Sequence, residues 1–468
     1  MASPHTTPAS APLPPPPPAY RYRRSLTAPL ILIVIGVLFL LRNVGVHIPV
    51  WHFFGRFWPL LIILWGVIAL IEHFTALNQG YRTRGLGAGG VLLLILIVVV
   101  GLAAHHSGDV NWEGMRDQMQ IDDDFGGMFG TAYTFEDTIE QQFPAKGSLR
   151  IVSDRGAINV SPSDGKTIRV VVHKKLYAKN QDDANRYNEG SKPQITESGT
   201  TVVLNANTNG AGDHGVQADM DVFVPADAAL DIAGKRGDVT ITDRKADVKL
   251  SVQRGDVSLN EIIGAARITL DKGSIRATNI VGDVDVDGRI DDVTIEDVKG
   301  SVRLNGDYFN NIRLSKISRM VEFKSARSDI ALASVPGDLE ISGDSLRGTD
   351  VSGPMRLVTR SKEIHLEGVN GDLEVENSNG DIEVHPGSKL PLGKMMITGK
   401  HGDITLVLPN NAGFQLDATT RKGDITSDFG SLRTEQTGGA SHATGTVGNG
   451  AAKLQINADT GDIRINKG

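Results

Sequence analysis

Cysteine is absent from this chain, which rules out disulfides, thiolate nucleophiles and Cys-based zinc sites and leaves the compartment open. Aromatic residues make up only 5% of the sequence, so a core has to be built from valine, isoleucine and leucine. No basic excess exists either. The formal net charge is −7, and a nucleic-acid partner is not expected. The sequence contains no His-Glu-x-x-His and no Gly-x-Ser-x-Gly. Its 12 histidines are scattered, and His105-His106, the one adjacent pair, stands at a membrane edge where an interfacial role is the default. No metal and no cofactor is expected.

What is present divides unevenly along the 468 residues. Residues 1–25 form a Pro-rich leader whose run Pro14 to Pro18 favours an extended, disordered cytoplasmic tail. Residues 26–104 hold three apolar blocks, Leu26–Leu41, Phe57–Phe74 and Leu86–Ala104. A spanning helix needs about 20 mostly apolar residues. The third block meets that length, and the first two reach it through flanking residues that include Trp51 and Trp58, which suit a membrane interface. Three transmembrane α-helices are therefore expected. Arg21, Arg23 and Arg24 precede the first, and Arg82 and Arg84 lie between the second and third. The positive-inside rule then places the N-terminus in the cytoplasm and everything after Ala104 outside it. A two-helix reading would reverse that topology. Gly85, Gly87, Gly89 and Gly90 imitate a dinucleotide fingerprint but lack the preceding strand, so tight helix packing explains them better. Residues 105–131, with Asp122-Asp123-Asp124 and Gly126-Gly127, read as an acidic linker.

From residue 132 the texture changes to strands, and a nine-residue beat emerges. An apolar residue recurs at Val239, Val248, Val257, Ala266, Ile275, Val284, Val293 and Val302, each followed two places later by another. A period of two marks a short strand with one buried face, and the fixed period between strands marks stacked repeats. Two arcs would close one coil of about 18 residues, rising to about 22 where later spacings lengthen. The expected fold class is all-β, a parallel β-helix or β-solenoid over residues 132–468, with its strands in two facing parallel sheets. Within it, residues 132–230 are an irregular N-terminal cap, and residues 231–468 are the regular repeats. The cap holds a charged insertion at 178–196 with one helical turn around Asp182–Tyr187.

A turn signature precedes the strands: Gly237-Asp238, Gly255-Asp256, Gly282-Asp283, Gly337-Asp338, Gly371-Asp372, Gly380-Asp381, Gly402-Asp403, Gly423-Asp424 and Gly461-Asp462. Glycine allows positive φ at a corner, and aspartate is expected to accept nearby backbone N–H groups as an Asx-turn. The successive steps Gly380 to Gly402 to Gly423 suggest larger coils or bulged corners.

Two resemblances rest on these strings. Leu30–Leu41 and Phe57–Gly66 resemble the paired helices of Lia-type membrane proteins, which belong to bacterial cell-envelope stress systems. The Gly-Asp-Ile/Val-x-Val/Leu repeats, preceded by Val222-Phe223-Val224-Pro225, resemble a widespread bacterial domain that carries an adhesin label and is otherwise of unknown function. That label implies a surface-binding role and transfers no catalytic residue.

Several patterns imitate chemistry. Arg236-Gly237-Asp238 and Arg254-Gly255-Asp256 spell the cell-attachment tripeptide, but their Gly-Asp belongs to the repeat. Asp283, Asp285, Asp287 and Gly288 open like an EF-hand, yet the twelfth position is Thr294. A calcium-binding nonapeptide roll shares the period of nine but not the glycine pattern. Glu340, Glu374 and Glu383 are outward positions that could align as a ladder in stacked coils and attract a cation, with Arg267, Arg276 and Arg303 offsetting them.

The function expected is non-enzymatic: a multi-pass protein of the bacterial cytoplasmic membrane whose extracytoplasmic solenoid binds or scaffolds an envelope polymer or protein. The rival is a regulatory membrane protein acting on a sensor kinase through its helices. A β-helix glycan-active enzyme is the third reading, and it would need a non-periodic carboxylate cluster in a groove.

Overall fold

The structure, a computed structural model, describes residues 131–214 and 216–468. The leader, the three apolar blocks with their glycines, residues 105–130 and the His105-His106 pair lie outside these. Among the described residues no helix is long and apolar enough to cross a membrane.

Alternation along the strands sends Val, Ile and Leu inward and polar residues outward, as in Ala266–Leu270 and Val248–Arg254. Two sheets therefore face each other over one continuous apolar core. In sheet I the in-register neighbours are Leu230, Val248, Ala266, Val284 and Val302. In sheet II they are Val239, Val257, Ile275 and Val293. All these pairings are parallel. Each step spans 18 residues, so two nine-residue arcs do close one coil. Each fully buried Val or Leu contributes roughly 1.5–3 kcal/mol, a gain realised only through the coils above and below.

A third inward position follows a left-handed corner. Asp243, Glu261, Asn279, Asp297 and Lys316 have φ between 53° and 58°, and each turns the next residue into the core. Those next residues are Arg244, Ile262, Ile280, Val298 and Ile317, all buried.

Val284 is fully buried between Ala266 and Val302. Val284→Asp would put an unpaired carboxylate there, with an expected cost of about 3–5 kcal/mol. A thermal melt of the full chain should show a clearly lowered midpoint. An unchanged melt would contradict the inward placement.

The regular stack departs from the expectation in three places. First, Ser328–Ile341 runs antiparallel to both neighbours in each sheet. This single long strand serves sheet I with Ser328–Leu332 and sheet II with Val335–Ile341, so one coil is traversed backwards. Its inward residues Ile330, Leu332, Leu339 and Ile341 are buried as the beat required, because alternation carries no direction.

Second, chain order is broken at both ends. The last strand pair, Ala452–Thr460 and Ile463–Lys467, lies between the coil of Met395–Leu408 and that of Phe414–Ser427. Gly402 therefore neighbours Gly461 rather than Gly423, which corrects the expected 21-residue coil. The 22-residue step is genuine, since Leu373 pairs with Met395. At the other end, Ser148–Pro162 lies between the coil of Thr201–Val224 and that of Ala229–Arg244.

Third, antiparallel pieces close both edges. Thr131–Gln142 pairs with Thr167–Ala178, and Gln194–Ser198 with Thr201–Asn205. The far end finishes on three-residue Ile425–Ser427 in sheet II and on polar, exposed Arg433–Thr437 in sheet I. Short or polar edges discourage further strand pairing. The insertion forms helix Gln181–Gly190, capped by Asn180, whose side chain accepts from Asp183 N–H. Buried Lys174 anchors this cap through an ion pair of 2.5 Å to Asp137.

Candidate binding surfaces

The expected turn residues sort into two corner columns. Gly237, Gly255, Gly380, Gly402, Gly423 and Gly461 lead into sheet II strands, and Gly282 and Gly371 into sheet I strands. Gly337-Asp338 is different: it lies inside the reversed strand Ser328–Ile341 and makes no corner of its own.

The aspartates do not form the expected Asx-turns. Seven of the nine accept a backbone N–H from an adjacent coil. Asp256 N–H donates to Asp238 Oδ1 and Ser274 N–H to Asp256 Oδ1, both at 2.8 Å. The same bond joins Ser301 to Asp283, Lys394 to Asp372, Asp403 to Asp381, Asp462 to Asp403, and Asp424 to Asp462, at 2.8–3.0 Å. The repeated carboxylates are thus rungs that tie coils together. The Arg-Gly-Asp triplets are stacked on each other, with Arg236 in register with Arg254, and do not project.

Asp403 also takes Arg464 at 2.8 Å. The backbone N–H of Asp462, then Arg464, hold the Asp403 carboxyl below its ordinary range, against some desolvation. A depressed acid adds stability that is present above its unfolded pKa, near 3.9, and is lost as pH falls through the folded value. We expect the wild-type chain to lose more stability than Asp403→Asn when pH falls from 5 towards 3. Equal losses in denaturation midpoints would contradict the ladder's role.

On the outer face of sheet I, charges of mixed sign stand in register: Lys249, Arg267, Asp285, Arg303 and Glu322. Arg303 bridges Asp285 at 3.0 Å and Glu322 at 3.2 Å. Asp287 accepts from Asn305 at 3.1 Å, so the EF-hand-like carboxylates are engaged across coils. Glu340, Glu374 and Glu383, which could have aligned as a ladder, do not all share one face. Glu340 and Glu383 face out from sheet II, with Glu340 paired to Arg313 at 3.2 Å, while Glu374 belongs to sheet I.

One alanine interrupts the charged row at the reversed strand, and Arg356 and Glu374 resume it beyond. Ala331 follows Glu322 in register, and its small side chain leaves a depression. A groove of about 640 Å³ opens there, lined in part by Met320, Ala331, Ala333, Pro354 and Met396. Arg356 and Glu374, in register between Ala331 and Met396, line it with opposite charges. Sequence reading missed this groove because it arises from one backwards coil.

A second feature missed in the sequence lies on the outer face of sheet II. His365 Nδ1 lies 3.1 Å from Glu383 Oε2, and His385 Nε2 lies 2.7 Å from Glu383 Oε1. The bond to His385, and then that to His365, pull the Glu383 carboxyl down despite partial desolvation. Among the described residues no three His, Asp or Glu side chains form a preformed metal-binding group.

With this geometry in hand, the family described as Toastrack DUF4097 matches residues 148–466, and the LiaI-LiaF-like transmembrane region matches residues 26–70. Among solved structures the chain is similar to a "putative cell adhesion protein" from Clostridium sporogenes. Identity is 9% over 71% of this chain and 100% of that one, with a TM-score of 0.14. It is also similar to a "putative adhesin" from Bacteroides fragilis, at 11% identity over 71% of this chain and 97% of that one, with a TM-score of 0.21. No curated protein matches it.

Proposed function

Because the chain belongs to the Toastrack DUF4097 family and carries a LiaI-LiaF-like transmembrane region, we propose that it is a non-enzymatic, membrane-anchored envelope protein with a binding or scaffolding solenoid. In this reading residues 1–25 are a cytoplasmic leader, 26–104 three spanning helices, 105–131 a linker and 132–468 an extracytoplasmic solenoid in the bacterial cytoplasmic membrane. The groove beside the reversed strand carries the reading. It is the place where alanine and methionine interrupt the charged outer face of sheet I, and methionine side chains adapt to varied partners. The carboxylates repeated at the corners are committed to holding coils together, which supports a structural rather than catalytic role for them.

A regulatory reading is favoured by one observation, the LiaI-LiaF-like match over residues 26–70. There the helices would act on a membrane partner, and the solenoid would report on the envelope.

In-cell crosslinking with mass spectrometry separates the two. A photoreactive residue at Ala331 is expected to capture an envelope component, and one at Ser258, on the other sheet, is not. Capture of a kinase or transporter through residues 26–104, with nothing from Ala331, would overturn the binding reading.

A further inference from the structure

The carboxylate held between two imidazoles on sheet II has a shape the binding reading does not use. Glu383 and His385 are alternate residues of strand Ile382–Pro386, so both side chains point outward. His365 lies directly across from Glu383 on the neighbouring coil, and Glu367 directly across from His385. Two histidines and two glutamates thus occupy the corners of one square, like residues on each diagonal.

We infer that His365, Glu383 and His385 form a site for a divalent transition-metal ion such as Zn²⁺, Ni²⁺ or Cu²⁺, with Glu367 or water completing the shell. The two imidazole centroids are 5.5 Å apart. With metal–nitrogen bonds of about 2.0–2.1 Å, each centroid would sit about 3.2 Å from the ion, so this spacing corresponds to an angle of about 120° at the metal. The N···O distances of 2.7 and 3.1 Å approach the ~3.1–3.3 Å between neighbouring ligands in such a shell. At present the imidazoles face opposite oxygens of Glu383, so the donors do not yet converge. The ion takes the place of the shared protons once the rings rotate. Both can move, since the side chains of His365 and His385 are 43% and 33% exposed. Imidazole with carboxylate favours borderline ions over the hard ions Ca²⁺ and Mg²⁺. Arg347, across from His365 on the other side, carries an opposing charge and sets a limit on affinity.

The site clasps two coils, so metal binding should protect strands Glu363–Val369 and Ile382–Pro386 together. The test is calorimetric titration of the full-length protein in detergent with ZnCl₂, beside CaCl₂ and MgCl₂. Zn²⁺ should bind in the micromolar range, and His365→Gln with His385→Gln should weaken it at least tenfold. Binding should also weaken at least tenfold per pH unit once the imidazoles protonate. Both substitutions are on an outer face and remove only exposed pairs to Glu383, so metal-free melting should change little. Bound Cu²⁺ should show nitrogen hyperfine coupling in its EPR spectrum, which the double variant loses. Equal Zn²⁺ binding by the double variant, or no binding up to millimolar Zn²⁺, would overturn the site.

Discussion

Replacing Arg244 by leucine should cost about 3 kcal/mol, the scale for losing a buried hydrogen-bond network. Arg244 is only 1% exposed. Its guanidinium donates to the carbonyl oxygens of Val224 at 3.0 Å, Pro225 at 2.5 Å and Ala228 at 2.9 Å. It stands in the column that Ile262, Ile280, Val298 and Ile317 fill in later coils. At this first regular coil the column reaches the chain crossing from the cap, where the corner carbonyls of Val224, Pro225 and Ala228 converge. The planar fork of arginine bonds three of them at once; Val224 and Pro225 keep backbone donors in Ser163 and Ala228, and leucine would leave the Ala228 carbonyl without this donor. Burial pulls the guanidinium down to about 10, opposed by Asp227, so it remains charged at neutral pH. Arg244→Lys should recover only part of the loss, because one ammonium cannot reproduce the fork. Stacked repeats open locally, so hydrogen exchange over residues 217–244 is the decisive readout. Unchanged protection there would contradict the plug.

A comparable loss, above about 3 kcal/mol, is expected from Gly255→Ala. Two independent causes act at that position. Its φ is 139°, a conformation that L side chains rarely adopt. A Cβ there would also lie 2.2 Å from the carbonyl oxygen of Gly237 in the adjacent coil, which no rotamer change can relieve. Gly343→Ala is the control, since its added Cβ meets nothing within 4 Å. That variant should stay within about 0.5 kcal/mol of wild type. Chemical denaturation of both variants measures the contrast. A Gly255→Ala chain as stable as the control would mean that the coils are not stacked this closely.

These two positions mark where sequence reading worked and where it stopped. Glycine at the corners was legible from its recurrence, but the reason was only half visible. Positive φ can be inferred from a turn, whereas a collision with Gly237 requires knowing which coil lies above. Arg244 was not legible. A left-handed residue precedes it, so the alternation of two slips by one and Arg244 no longer falls on the inward parity. The same slip concealed Ile262, Ile280, Val298 and Ile317. A signal was available, because polar residues recur at Asp243, Glu261, Asn279 and Asp297 with the 18-residue period of the coil.

Direction and order were hidden for a deeper reason. Ile330, Leu332, Leu339 and Ile341 satisfy the beat equally well in a reversed strand, so the groove at Ala331 could not be foreseen. His365 and Glu383 are separated by 18 residues, one full coil. A search for metal ligands at helical or hairpin spacings passes over such a pair. The same search made at the coil period brings them together.

The ladders, the groove and the histidine pair all depend on which coil rests on which. The absence of native cysteine makes this directly measurable. Thr398 is in register with Asn457, and Asn457 in turn with Thr419. In-register neighbours lie about 4.8 Å apart, within disulfide reach, whereas positions two strands apart lie beyond it at roughly 9–10 Å. Oxidation of the full-length Thr398→Cys/Asn457→Cys variant should give a disulfide, and Thr398→Cys/Thr419→Cys should not, as read by peptide mass spectrometry. A disulfide between 398 and 419 with none between 398 and 457 would mean that the coils stack in chain order, and the account would be wrong.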